Sequence, residues 1–347
     1  MKKLVVLGGG FAGAKIAKAL ENSFDLTLID SKDYFEFTPG ILKTIVNHQH
    51  FKKIQIPHKK YLKKARVITD KVKEITKKEV VLSKKNQKII AFDYLVIALG
   101  SNYNPPFKEK NIIIITRINH LKRYYKQLEK SHEIVIIGGG IVGIELAGEI
   151  TSKYPNKGIT IIHKNDKLIE RNHAKAISYA DKFLRKKGVK FIFNENAISY
   201  KKNIIITDKE TKIKADMVFL CTGIKPNFHP LEKNFKNVLN EKKQIKVNEF
   251  LQVENYKNIF AAGDITAVKE EKLAQNAEKQ ADIVIKNLIN TINDKHLIKY
   301  QPKPRIMVIS LGRFNGILQY KNFILTGIIP GLLKSFVEWK TMIRYKI

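Results

Sequence analysis

An α/β chain in which one strand–turn–helix unit is used twice, followed by a small α+β region, is the fold class that three observations predict. The first is Leu4 to Gly13, LVVLGGGFAG, where four apolar residues run into Gly8, Gly10 and Gly13 at G-x-G-x-x-G spacing, ahead of a helix-compatible stretch. The second is an echo. Lys3–Leu20 aligns with Glu133–Ile150 at a constant offset of 130, and Gly138, Gly140 and Gly143 fall on the three glycines. The third is that each unit continues into a second apolar strand, DLTLID ending on Asp30 and GITIIH ending on His163. A tight turn between a buried strand and a helix leaves room for a pyrophosphate, because the helix N-terminus offers free N–H groups and a dipole that favours anions. Two such units predict two Rossmann-like dinucleotide-binding domains.

Each element has a local reason. Gly8 permits the turn, Gly10 the close approach of backbone to phosphate, and Gly13 the packing of helix on strand. Asp30 stands 22 residues after Gly8, where a carboxylate accepts ribose hydroxyls. Phe35, Phe37 and Pro39 mark a turn-rich segment entering an apolar stretch. Residues 51–90 alternate basic and β-branched residues and read as short antiparallel strands of an insertion. FDYLVIALGS, 92–101, reads as a buried core strand ending at Gly100, and NYNPP, 102–106, as a linker.

In the second unit His163 replaces the ribose carboxylate, and Lys164 and Lys167 follow closely. A cationic neighbourhood tolerates a 2′-phosphate that a carboxylate repels, so this site is expected to accept NADPH as well as NADH. Residues 174–194 read as helix then strand, and MVFLCTG, ending at Gly223, mirrors YLVIALG. NIFAAGDIT places Asp264 at a strand end, and a helix follows from near Ala274, whose N-terminus favours developing negative charge. The tail from Lys299 reads as two or three strands followed by an apolar, aromatic and basic segment containing Trp339, Lys340, Arg344 and Tyr345. That segment suits a membrane interface or a protein interface equally.

Composition narrows the function. With 64 Lys+Arg against 32 Asp+Glu in 347 residues, the net charge is +32, spread along the chain. Much of it is expected to cover solvated faces, and no nucleic-acid arm stands out, so no specific nucleic acid is expected. Cys221 is the sole cysteine, so the chain has no dithiol, no intramolecular disulfide and no cysteine-rich metal site; the thiol is expected to be buried and inert. The nine histidines lack metal-ligand spacing, so no metal is expected. The apolar run after Met1-Lys2-Lys3 is too short for a signal peptide, and no run reaches the ~18 residues of a membrane span.

The two fingerprints, ALGS, CTG, and AGD before a helix together resemble the FAD-dependent two-dinucleotide-binding, glutathione-reductase-like flavoprotein superfamily, over essentially the whole chain. The lack of a cysteine pair sets it apart from the disulfide reductases and from the sulfide:quinone reductases. YFEFTPG, 34–40, resembles the FAD-contacting loop of type II NADH:quinone oxidoreductases. GGGIVGIELAGEI, FLCTGIKPN, VNEFLQV and SLGRFNGILQ…WKTM are similar to the ferroptosis suppressor (apoptosis-inducing factor 2-like) family of NAD(P)H:quinone oxidoreductases. Lys2 stands where N-myristoylation requires glycine, so that anchor is not expected.

The resemblance implies FAD on Gly8, Gly10, Gly13 and Asp30, with Gly100 and Gly223 at strand ends beside the cofactors and Asp264 on the ribityl chain. It implies NADH or NADPH on Gly138, Gly140, Gly143 and His163. Glu145 is implied beside nicotinamide and flavin, and Lys272, Gln275 and Gln280 near flavin and quinone. Hydride would pass from nicotinamide to flavin N5 and two electrons on to a quinone. The alternatives are a ferredoxin- or rubredoxin-type acceptor, or a redox-gated nucleic-acid-binding flavoprotein. The expected division is 1–106 and 241–296 for the FAD-binding domain, 107–240 for the NAD(P)H-binding domain and 297–347 for an interface or membrane-facing region. The protein is expected in the cytoplasm as a monomer or homodimer, with peripheral attachment to an anionic membrane surface.

Overall fold

The computed structural model describes residues 1–83, 88–109 and 112–346. Residues 84–87 of the expected insertion, 110–111 at the start of the second expected domain, and 347 in the tail lie outside the described residues.

The first unit runs β1 (Lys3–Leu7), α1 (Phe11–Leu20), β2 (Asp25–Asp30), α2 (Ile41–Val46), β3 (Arg66–Thr69) and β4 (Tyr94–Ile97). The second runs α3 (Ile114–Lys130), β5 (Glu133–Ile137), α4 (Ile141–Lys153), β6 (Gly158–His163), α5 (Ala174–Lys186), β7 (Lys190–Phe193) and β8 (Met217–Leu220). The chain then returns to the first sheet with β9 (Ile259–Ala261), followed by α6 (Ala274–Ile292). The tail forms β10 (Ile306–Ser310), β11 (Gly316–Tyr320), β12 (Phe323–Gly327) and α7 (Ile328–Lys346).

The first sheet is ordered β9-β4-β1-β2-β3 and the second β7-β6-β5-β8, all parallel within each. Leaving out β9, the two orders are the same. Val6 and Ile136, on the two first strands, are fully buried, as expected of parallel strands covered on both faces. Each unit also carries a three-stranded antiparallel sheet between its third and fourth strands: 72–91 in the first and 197–214 in the second.

Two expectations need correction. Residues 51–90 are not all antiparallel insertion. Phe51–Ile54 and His58–Tyr61 are short helices, Gln55–Pro57 pairs with Tyr34–Glu36, and RVIT at 66–69 is the third parallel strand of the main sheet. The exposed Arg66 and half-buried neighbours hide a sheet strand behind a polar pattern. The 102–106 linker also begins as structure. Ser101–Asn102 pairs with Lys225–Pro226, which stitches the strand ends of the two units together.

Candidate active site

Both glycine turns are sterically closed to larger residues. Gly8 sits at φ 94° and donates its N–H to Ile29 O at 2.7 Å. A Cβ there would lie 2.4 Å from Ala98 O, and one on Gly13 would lie 1.8 Å from Gly8 O. In the second turn, Gly138 sits at φ 116°, its Cβ would lie 2.3 Å from Cys221 O, and a Cβ on Gly143 would lie 2.0 Å from Gly138 O. Over Gly10 and Gly140, by contrast, a Cβ would meet nothing within 4 Å. α1 and α4 start at these glycines with no side-chain cap and no acid in the first turn. Uncapped N–H groups facing open space are what a pyrophosphate requires, so both turns fit a dinucleotide.

Behind the first turn, the middle glycine Gly9 faces Asp30 and His58. Asp30 is buried, its Oδ2 is 3.1 Å from His58 Nε2, and His58 Nδ1 is 2.6 Å from the Tyr61 hydroxyl. Burial opposes the charge on Asp30, but His58 and Lys32 outweigh it and hold the carboxyl below its usual range. His58 was absent from the sequence-based candidates, because its segment reads as a strand.

Behind the second turn, Gly139 faces His163. His163 is buried, and its Nε2 faces the Glu170 carboxylate at 3.5 Å. That ring nitrogen, held by one long contact next to an open glycine turn, fits a ligand hydroxyl or phosphate. Lys164 and Lys167 are exposed nearby in sequence. Cys221 backs this turn as Ala98 backs the first, and burial pushes its thiol far up.

Between the units lie the strand-end residues. Gly100 and Gly223 have φ of 61° and 96°, with open space beside both. Asp264 accepts from Ser101 Oγ at 2.5 Å and from Lys108 Nζ at 3.3 Å. Gly263 donates its N–H to Gln280 Oε1 at 2.7 Å, and a Cβ on Gly263 would lie 3.6 Å and 3.7 Å from the Cβ atoms of Ala277 and Ala12. Thus α1, the Asp264 loop and the start of α6 converge. Lys272 donates to Thr266 O at 2.7 Å and Val268 O at 3.1 Å, closing that loop; burial lowers its pKa, with Asp264 and Glu270 acting against it. Gln275 is turned toward the tail, donating to Ile306 O at 2.6 Å.

Glu145 is buried on α4 and held by the tail. Its Oε1 accepts from Ser310 N at 2.9 Å and pairs with Lys334 on α7. One turn on, Gly148 leaves room for the 311–312 backbone, since a Cβ there would lie 2.7 Å from the Leu311 carbonyl carbon. The Ser310-Leu311-Gly312 stretch is therefore latched onto α4. Glu149, on the next turn, is also buried, and its Oε1 lacks a partner. Burial raises its pKa, with Lys43 and Lys334 opposing. Ser310, Lys334, Glu170 and His58 were not readable as site residues, because each acts through tertiary contact. Among the described residues no cluster of three or more His, Cys, Asp or Glu could hold a metal ion.

The pyridine nucleotide-disulphide oxidoreductase family model matches residues 2–281. The chain is similar to apoptosis-inducing factor homolog A of Dictyostelium discoideum, 35% identical over 96% of this chain and 89% of that protein. It is similar to ferroptosis suppressor protein 1 of Homo sapiens, 31% identical over 98% of this chain and 95% of that protein. NDH2 from Plasmodium falciparum, solved in complex with NADH, shares the fold at TM-score 0.83 and 15% identity, covering 99% of this chain and 96% of that one.

Proposed function

Because the chain belongs to the pyridine nucleotide-disulphide oxidoreductase family, we propose that this FAD-dependent NAD(P)H oxidoreductase delivers its electrons to a quinone. The observation that carries this is two open dinucleotide turns in a chain whose only cysteine, Cys221, is buried, its thiol pushed up by that burial. With no dithiol to relay electrons, a diffusible acceptor must collect them directly. The resemblance of the tail to the ferroptosis suppressor family supports a quinone in that role.

When bound, FAD supplies hydride acceptance at N5 and two-electron delivery. The chain supplies position and charge. Gly8, Gly10 and Gly13 hold the FAD pyrophosphate at the α1 N-terminus, and Asp30, kept ionised by His58, takes the ribose hydroxyls. Asp264, aimed by Ser101 and Lys108, holds the ribityl chain. Gly138, Gly140, Gly143 and His163 hold NADH or NADPH. Lys272 fixes the loop that carries Asp264, and the α6 N-terminus offers its positive end. Glu145 orients the reacting end of the nicotinamide. Its link to Lys334 makes α7 part of the same assembly.

No described helix is long and apolar enough to cross a membrane. α7 instead exposes Ile329, Leu332, Phe336 and Trp339, which supports peripheral attachment at a lipid surface where quinones reside. The test is stopped-flow reduction by NADH followed by reoxidation with ubiquinone or menaquinone analogues. Recovery of oxidised-flavin absorbance by quinone supports the proposal. Recovery by a ferredoxin or rubredoxin but not by quinone would overturn it.

A further inference from the structure

We infer that the far end of α7 completes a binding pocket for the phosphorylated polyol headgroup of an anionic lipid. The inference rests on the peripheral attachment proposed above and gives it a specific site. A cavity of about 570 Å³ lies between the 52–63 segment and the last turn of α7. Five lysines line it: Lys52, Lys59, Lys60, Lys63 and Lys346. No acid lines it, and among the described residues none of the five pairs with a carboxylate. Two carboxylates of the surrounding network are already engaged. Glu21 accepts from the backbone N–H groups of Lys63, Lys64 and Ala65, and Glu36 is held by Arg117 and Gln55. The five lysines of the lining outnumber the carboxylate beside them, Glu21, and a multiply charged anion is the chemistry that fits the excess.

The walls add directional groups. Gln55 is 7% exposed and its Oε1 has no hydrogen-bond partner, and the buried Tyr345 ring forms the wall beside it. The lysine ammonium groups suit phosphate oxygens, and a free amide oxygen suits a hydroxyl. A phosphorylated polyol carries both.

The helix itself points to a lipid as the source. Leu332, Trp339 and Lys346 stand seven residues apart on α7, hence on one face, and Ile329 and Phe336 fill the same stripe at helical spacing. Ile329, Leu332, Phe336 and Trp339 are all about half exposed or more. One face thus carries an apolar stripe that ends at the basic pocket. With the stripe in the acyl boundary, the pocket meets headgroups.

The experiment uses flotation of the intact FAD-loaded protein with neutral phosphatidylcholine vesicles, vesicles containing phosphatidylserine, and vesicles containing phosphatidylinositol bisphosphate. The parent is expected to prefer the last. Each lysine near the surface is worth about fivefold, so Lys59→Gln/Lys60→Gln/Lys63→Gln should weaken binding to phosphoinositide vesicles about a hundredfold. Lys201→Gln/Lys202→Gln/Lys214→Gln, on the exposed antiparallel sheet of the second unit, removes the same charge and should cost only a few-fold. Retained flavin absorbance checks that both variants fold. Equal loss in the two triple variants would overturn the inference, as would equal parent binding to both anionic vesicle types. Tighter binding of soluble inositol trisphosphate than of phosphoinositide vesicles would overturn the lipid source. The attachment itself is read separately: Trp339→Ala should lower binding to all vesicles, and a parent that floats with none would sink attachment and pocket together.

Discussion

In the first unit the residue behind the glycine turn is a carboxylate, Asp30, with an imidazole 3.1 Å away; in the second it is an imidazole, His163, with a carboxylate 3.5 Å away. The two units share strand order, the position of their antiparallel insertions and the closure of their turns. They differ in which partner of an acid–imidazole pair stands at the strand end. In the first pair the acid is buried and held below its usual pKa range, which on the proposed assignment leaves it ready to accept hydroxyls from a resident cofactor. In the second the ring nitrogen has a single long contact, at 3.5 Å, to an acid that is a third exposed, which on the proposed assignment suits a ligand that comes and goes. On the proposed assignment, a scaffold used twice takes two different cofactors through a swap of one pair, with the phosphate cradle unchanged.

The largest effects should come from the cradle. Gly13→Ala and Gly143→Ala each force a Cβ onto a backbone oxygen, at 1.8 Å and 2.0 Å, so each should disable its own turn at a cost of about 3 kcal/mol or more. Gly13→Ala protein should purify without flavin. Gly143→Ala protein should keep flavin that NADH no longer bleaches.

Next comes the seam between the units. Arg117 is fully buried, pairing with Glu36 at 3.0 Å from the first unit and with Glu109 at 3.0 Å on the connection to the second. Arg117→Met leaves two carboxylates without their partner, and denaturant unfolding should show a loss of about 3–5 kcal/mol. If the units unfold as one, a single transition shifts; two transitions would show that the seam couples them weakly.

A smaller effect should follow from copying the first pair into the second. His163→Asp places a carboxylate where a 2′-phosphate would lie, so kcat/KM for NADPH should fall about tenfold, roughly 1.4 kcal/mol, with NADH little changed. An unchanged NADPH/NADH ratio would detach His163 from cofactor choice.

The smallest effect is in pH dependence, and the two units should show opposite signs. Glu36 is buried, yet Arg117 holds its carboxyl below the ordinary value of 4.5. Its contribution to stability is therefore present above that pH and lost as the pH falls through the lowered value. Glu149 is raised above 4.5 by burial, so its contribution is present below that pH and lost as the pH rises through the raised value. Glu149→Gln should raise the midpoint of thermal unfolding at neutral pH and leave it unchanged near pH 4.5.

Much of this comparison is legible in the sequence, because it depends on residues close together along the chain. Glycine spacing, apolar strands and strand-end residues all lie within one strand–turn–helix unit. What lies beyond is set by long-range contact. His58 reaches Asp30 across 28 residues, and Ser310 and Lys334 reach Glu145 across 165 and 189. No local pattern encodes those pairings. The Arg66–Thr69 strand was hidden for a related reason: it pairs only with β2, and its exposed Arg66 breaks the continuous apolar run that marks its neighbours. Lys272 and Gln275 show a further limit. Their positions were marked by resemblance, but the carbonyls they bind, on the Asp264 loop and on β10, emerge only in the fold.

The most direct test of the division of labour is anaerobic titration of the parent, Gly13→Ala and Gly143→Ala proteins with NADH, following oxidised-flavin absorbance. The expected result is a parent that is yellow and bleached, a colourless Gly13→Ala, and a yellow Gly143→Ala that resists bleaching. A colourless Gly143→Ala beside a yellow Gly13→Ala would reverse the assignment of cofactors to turns, and a parent without flavin would contradict it altogether.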